Sequence, residues 1–403
     1  MLSRRKFSGL LLAATQAPRL FAKGGIDDAL FFSMQRRRIP SVAAMAVDAN
    51  RVLYSGAFGK RDEASGIAVT TDSIFQIASM TKPITSVAAM QLVEQGKLSL
   101  DAPVAKHLPQ LANMQVLNGF TPAGDPILRP AKTPITLRHL LTHTSGISYP
   151  TWHEQMARYA QKQPVTPAIA PVVPLMFEPG TSWQYGYNTD WTGRLVEAVS
   201  GQTLQQYFRV NILDPLGMQD TEFGVDPKKF DRMVNVYQRT PQGAFESRPR
   251  VQPAAPTDFN GGGGLSSTVN DYVKFTRMIL RYGLTGVNTE ILKARTVEMM
   301  MKNQIGGITA GKMRTFQPNV SSDVDTHPGG ADKWGLGFLL QGPGTTGMRH
   351  EGNMAWAGIF NTYFWIDPQR AIAGVVMMQY LPFFDEQAVG LLGDFERAVY
   401  ANI

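Results

Sequence analysis

Ser79 and Lys82, three residues apart in the stretch QIASMTKPITS, are the residues whose types and spacing most directly suggest chemistry. A serine hydroxyl is a weak nucleophile and needs a base within hydrogen-bond reach before it attacks a carbonyl carbon. On a helix, positions i and i+3 share a face with Cβ atoms about 5–6 Å apart, so an amine at 82 can reach the oxygen at 79. A helix starting at Ser79 would disfavour a charged lysine and favour a developing alkoxide at its amino end. Pro83 fits that placement, because proline is tolerated in a first helical turn and not in a helix interior. The chemistry implied is acyl transfer through a covalent serine intermediate. The spacing alone also suits a capping serine beside a solvated lysine, and Ser3 and Lys6 repeat it near the amino terminus.

The elements that must hold such a pair can be read from the rest of the chain. VAAMAVDANRVLYSGAFGKRD reads as two short strands around the turn DAN, with apolar residues bunched as in a sheet covered by helices. ASMTKPITSVAAMQLVEQGKLSL reads as a helix ending near Gly96, a good stop. From about Leu100 to Leu213 proline and glycine are dense, with short helical pieces such as TLRHLLTHTS and TDWTGRLVEAVSG. NDYVKFTRMILRYG and ILKARTVEMMM are later helices. Strands return in WGLGFLLQG, NTYFWIDP and AIAGVVMMQY before a last helix from about Asp385 to Val399, and QPNVSSDVDTHPGGAD reads as a surface loop. Strand-rich ends around a helical, loop-rich middle predict an antiparallel sheet made from both chain ends.

Composition narrows the function classes. The chain has no cysteine, so disulfides, thiolate metal sites and cysteine nucleophiles are excluded. A formal net charge of +7 invites a nucleic-acid reading, but residues 1–24 carry five basic and no acidic side chains, leaving +2 to the remainder. No nucleic-acid partner is expected. Those residues have a basic start, an apolar run from about Gly9 to Ala14 and small residues before a cleavage site, which is how an export signal over 1–25 reads. Ser3-Arg4-Arg5-Lys6-Phe7 looks like a twin-arginine signal, predicting a periplasmic or secreted protein. No later run reaches the roughly 18 apolar residues of a membrane-spanning helix.

Six segments carry a family resemblance. FQIASMTKPITSVAAMQLVEQGKLSLDAPV, ITLRHLLTHTSGI, FEPGTSWQYGYNTDWTGRLVEAVSGQTL, ILDPLGMQDTEF, FNGGGGLSSTVNDYVKF and WAGIFNTYFWIDP occur in the order seen in the serine β-lactamase-like superfamily. The chain most resembles its esterase branch, the family VIII carboxylesterases similar to class C β-lactamases, over roughly residues 27 to 400. The resemblance implies an α+β, β-lactamase/transpeptidase-like fold, with a sheet domain from 26–100 and 260–403, a mostly helical domain at 101–259 and the site between them. It also implies that Ser79 is acylated, that Lys82 is its partner and that Tyr185 of QYGYN shares the base role. A tyrosine serves in this way only if a cation lowers its pKa, and Lys82 is the candidate.

The family's third element is a strand edge bearing Lys-Thr-Gly, His-x-Gly or Trp-x-Gly. Trp356-Ala357-Gly358 matches the esterase form, so Ile359 would supply the second oxyanion N–H beside that of Ser79. His350-Glu351-Gly352 is a rival match upstream. Where the lactamases place asparagine two residues after the tyrosine, this chain has Tyr187, with Asn188 one step out. That departure tilts the reading from amides toward esters.

Other signals carry less. His139 and His143 stand four apart on a helical piece, but the Glu of His-Glu-x-x-His is missing, and both read as structural. The glycine run 261–264 lacks the Lys-Ser/Thr of a phosphate loop and reads instead as a close backbone approach to the site. No Gly-x-Ser-x-Gly elbow occurs. The expectation is a secreted serine hydrolase that needs no cofactor and cleaves a small-molecule carboxylic ester, with β-lactam as a secondary substrate. A β-lactamase, a D-alanyl-D-alanine carboxypeptidase-like hydrolase and a slow-deacylating penicillin-binding protein are the alternatives on the same residues.

Overall fold

A computed structural model describes residues 17–163, 170–248, 251, 256–344 and 348–402. The twin-arginine stretch Ser3–Phe7 lies outside the described residues. Helix α1 covers Ala17–Arg36. It leads into β1 (Ser41–Asp48) and β2 (Val52–Gly59), the two strands expected around DAN. Helix α2 runs over Thr81–Glu94 and stops at Gln95, with Gly96 at φ +69° as the stop requires. Helix α3 is Asn188–Ser200 and α4 is Val269–Leu280. The last third supplies β3 (Lys333–Trp334), β4 (Leu339–Leu340), β5 (Met354–Gly358), β6 (Thr362–Asp367), β7 (Ile372–Met377) and α5 (Glu386–Asn402).

These strands form one seven-stranded sheet in the order β3-β4-β5-β6-β7-β1-β2, antiparallel throughout. The two chain ends meet where β1 pairs with β7, Ala43 opposite Met377 and Val47 opposite Ala373. Every residue of β6 and β7 is buried, as a sheet covered on both faces demands. Alternate side chains serve opposite layers. Phe364 meets Tyr272 of α4 at 5.4 Å between ring centroids, and its neighbour Trp365 meets Phe395 of α5 at 5.9 Å. Helix α1 lies against α5 on that second face, and α2 packs against α3.

Two expectations need correction. WGLGFLLQG is two short strands and not one, because Gly335 and Gly337 turn the chain between them. Gly337 has φ +95°, and a Cβ on Gly335 would lie 2.1 Å from the Met300 carbonyl oxygen. QPNVSSDVDTHPGGAD is also not simply a surface loop. Ser321 is fully buried and accepts a hydrogen bond from Trp152 Nε1 at 3.0 Å, and Val324–Asp325 pairs with Lys312–Met313. The polar composition of that stretch conceals one buried anchor, and period and composition do not register single anchors.

Candidate active site

Ser79 sits in a single 3-10 turn, Ala78–Met80, and the α-helix begins only at Thr81. The turn is set by Ala78, whose φ of +44° is costly for a residue with a Cβ, on the order of 1–3 kcal/mol. Neither the turn nor α2 has a side-chain cap, so Ser79 is not spent on closing a helix end. Its hydroxyl accepts instead from Lys82 Nζ at 3.1 Å. Ser79 is partly exposed while Lys82 is 1% exposed, so the serine faces outward and the lysine lies behind it.

Burying an ammonium requires that its three N–H groups find partners. Besides Ser79, Lys82 Nζ donates to the Gly262 carbonyl at 2.5 Å and to the Tyr149 hydroxyl at 3.4 Å. The glycine run thus makes the close approach expected of it. Thr85 of the same helix donates to the Gly261 carbonyl at 2.6 Å. A Cβ at 261 would lie 2.9 Å from the Thr189 carbonyl, and one at 262 would lie 2.3 Å from Asp190 Oδ2.

Tyr185 is brought to the same place by its ring. Lys82 Nζ lies 4.7 Å from the centre of that ring, within cation–π range, while the Tyr185 hydroxyl accepts from Trp356 Nε1 at 3.1 Å. Trp356 therefore touches the predicted catalytic set directly and is not only packing. The tyrosine whose hydroxyl meets Lys82 is Tyr149, which in turn donates to Asp190 Oδ2 at 3.0 Å. The two tyrosines lie side by side, 5.4 Å between centroids, because the Tyr149 N–H donates to the Tyr185 carbonyl and Gly186 leaves room for Ile147.

The far end of β5 meets the serine turn. A Cβ on Gly358 would lie 2.2 Å from the Ile77 carbonyl, and Thr362 opposite it donates to the same oxygen at 3.4 Å. The Gly358 carbonyl accepts from Asn361 N–H inside the β5–β6 hairpin, so the adjacent Ala357 turns its backbone groups to the other edge. That edge is open there, because β4 pairs only with Met354 and Ala355. Ile359, partly exposed, follows directly at the hairpin. His350 is not part of this arrangement. It lies before the opposite end of β5, where its Nδ1 is 3.1 Å from Asp367 Oδ2 and its N–H donates to the same oxygen.

The remaining candidates are structural. His139 Nδ1 accepts from the Thr136 N–H at 3.3 Å in a capping box of the short helix Leu137–Leu141. His143 is fully buried, and burial together with the Lys82 charge holds it well below the usual imidazole range. Asn188 joins His143 Nδ1 at 3.0 Å, donates to the Ile147 carbonyl at 3.1 Å and accepts from Ser145. It locks the 143–147 turn. Among the described residues no group of three or more His, Cys, Asp or Glu could hold a metal ion.

Behind β5, on the face toward α5, lies a cavity of about 390 Å³. Ala355, Ala357 and Tyr363 form its floor, and Val324, Phe383 and Phe384 are among its walls. Two small residues on the strand leave this space, which Trp356 also borders. Phe383 contacts Trp152, and Trp152 contacts Tyr185, so one layer of rings separates the cavity from the tyrosine.

Sequence reasoning missed Tyr149 and Asp190. The available signal was the glycine run itself: glycines in succession imply tight neighbours, and one of them is the Asp190 carboxylate.

Comparison with known proteins places this arrangement. The family described as Beta-lactamase matches residues 26–394. An ML-236A carboxylate methylbutanoyltransferase of Penicillium citrinum is 31% identical over 95% of this chain and 96% of its own. A lovastatin esterase of Penicillium rubens is 32% identical, covering 90% of this chain and 94% of its own. Among solved structures, a mutant simvastatin synthase from Aspergillus terreus superposes with a TM-score of 0.81 at 30% identity, over 98% of this chain and 99% of that one.

Proposed function

The chain belongs to the beta-lactamase family, and from that premise we propose that it cleaves carboxylic esters through an acyl-Ser79 intermediate. The observation that carries this reading is the 3.1 Å contact from Lys82 Nζ to a serine hydroxyl that caps nothing. Ser79 Oγ attacks the acyl carbon while its proton passes to the Lys82 and Tyr185 side. The N–H groups of Ser79 and Ile359 hold the tetrahedral oxyanion. The C–O bond to the alcohol then breaks and the alkoxide leaves with the proton. Water, or a second hydroxyl compound, repeats the sequence on the acyl-serine. The Trp356 N–H stabilises negative charge on the Tyr185 oxygen when that oxygen gives up its proton.

Two observations favour esters over β-lactams and peptides. Tyr187 stands where an amide-recognising asparagine would, and Asn188 is committed to the 143–147 turn. The relatives with printed activities are named for acyl transfer and for ester cleavage. Acceptance of the acyl group by an alcohol instead of water is favoured by the transferase relative. The basic start at Ser3–Phe7 supports export, which cell fractionation of the full chain tests.

The deciding experiment compares the protein with its Ser79→Ala variant on p-nitrophenyl butyrate, with and without an added apolar alcohol, and on nitrocefin. Butyrate turnover well above nitrocefin turnover, lost in the variant, is the expected result. Dominant nitrocefin turnover, or butyrate turnover that survives Ser79→Ala, overturns the reading.

A further inference from the structure

The acyl-transfer scheme uses Ser79, Lys82, Tyr185 and the strand edge, and leaves unused a carboxylate that is 1% exposed next to them. We propose that Asp190 is the buried counter-ion of Lys82, coupled to it through the Tyr149 hydroxyl, and that it acts as a positioning residue keeping the ammonium aimed at Ser79 Oγ. The proposal rests on the acyl-Ser79 reading above.

The hydrogen-bond inventory fixes the direction of the link. A carboxylate only accepts, an ammonium only donates, and a phenol does one of each. The Tyr149 proton is therefore given to Asp190 Oδ2 at 3.0 Å, which leaves its oxygen free to accept from Lys82 Nζ at 3.4 Å. Both charges therefore touch one oxygen. Burial pushes the Asp190 carboxyl up, and the Lys82 charge, the Tyr149 hydroxyl and backbone N–H groups that include Gly262 pull it back. Burial, then the Asp190 charge, holds the Tyr149 phenol well above its ordinary value, so Tyr149 keeps its proton and serves as a linker and not as a base.

Among the described residues the surroundings supply no competing anion. The titratable groups facing this pair are His143, Tyr149, Tyr185 and Tyr187, from the 143–149 turn and the 185–187 segment. His143 is kept neutral by its burial, and Tyr187 is pushed up to about 12 by burial and the Asp190 charge. From the 261–264 segment come backbone groups alone, because Gly262 has no side chain to displace the carboxylate. A lysine enclosed this deeply without a counter-charge would be strongly disfavoured as a cation.

The test follows the rate at which a fluorophosphonate probe labels Ser79 in the full-length protein, read by intact mass across a pH series. Ser79→Ala must abolish labelling; if the protein itself is not labelled at Ser79, the acyl-serine reading fails independently of this proposal. With labelling established, Asp190→Asn keeps an acceptor for Tyr149 and removes the charge. Its pH midpoint is expected to fall by about one unit or more, because a cation that loses its counter-charge gives up its proton at lower pH. A folded Asp190→Asn protein with an unmoved midpoint overturns the proposal, and a change of melting temperature or amplitude without a shift does the same. Should Asp190→Asn fail to fold, Tyr149→Phe decides: removal of the linking oxygen is expected to lower the midpoint and to slow labelling about tenfold, and an unchanged profile overturns the proposal.

Discussion

Lys82 divides its surroundings into two unlike flanks. On one side Tyr149 and Asp190 form a polar chain with every proton assigned, ending in a buried charge. On the other, Tyr185 presents its ring to the same ammonium and takes its hydrogen bond from the indole of Trp356, in a cluster of rings that includes Trp152 and Trp334. Two tyrosines 5.4 Å apart thus receive opposite instructions. The one beside a carboxylate is held protonated, whereas the other accepts its hydrogen bond from an N–H donor. Residue type does not distinguish the two tyrosines; the neighbour of each hydroxyl does.

The strongest way to break this contrast is to remove the residue that both flanks address. Lys82→Met should lower ester turnover by about three orders of magnitude or more, measured as kcat/KM on p-nitrophenyl butyrate. It should also strand Asp190 without its cation, which raises the carboxyl further. A carboxyl raised above its unfolded value costs stability as pH rises from the unfolded pKa toward the folded one. Thermal melts of Lys82→Met should therefore fall below the parent more at pH 8 than at pH 5, and adding Asp190→Asn should remove the pH dependence of that gap.

Separating the two tyrosines sharpens the contrast. Tyr185→Phe should reduce kcat by about 10²–10⁴, the usual worth of a proton-transfer group. Tyr149→Phe should cost about tenfold and displace the pH profile, and equal losses without a displacement would erase the distinction. Trp356→Phe keeps the ring and removes the N–H to Tyr185, so about 1 kcal/mol, roughly a fivefold to tenfold loss in kcat, is expected. The smallest effect belongs to the far end of β5. His350→Ala should leave kcat/KM within about twofold and cost no more than about 1 kcal/mol in a denaturant melt, because its contact with Asp367 is partly exposed.

Much of this was legible in the sequence, for identifiable reasons. The apolar runs of β1, β6 and β7 and the turn at DAN announced a sheet drawn from both chain ends, since strands covered on both faces keep no polar side to disguise them. Ser79, Lys82, Trp356 and Gly358 were singled out because they belong to ordered motifs, and the structure supplies a reason for the glycine, since a Cβ there would meet the Ile77 carbonyl. His350 matched a motif in letters and stands at the wrong end of its strand, a distinction that spacing cannot make. The helix was expected to begin at Ser79; the positive φ of Ala78 instead isolates the serine in its own turn, and no residue preference announces such an angle in alanine. Tyr149 and Asp190 were missed because their partnership spans 41 residues and depends on a hydroxyl's direction.

The sheet's closure has a consequence for synthesis. β1 has β2 as a neighbour almost at once, but its other edge pairs with β7, which is synthesised more than 300 residues later. At roughly 5–20 residues per second, the Ala43–Asp48 edge waits on the order of tens of seconds for its mate. Ser79 waits with it, because the strand end that meets its turn is Gly358. The nascent chain therefore carries Ser79 long before it carries the strand end that meets it, and contacts of such high sequence separation make folding slow and leave that edge open to wrong pairings.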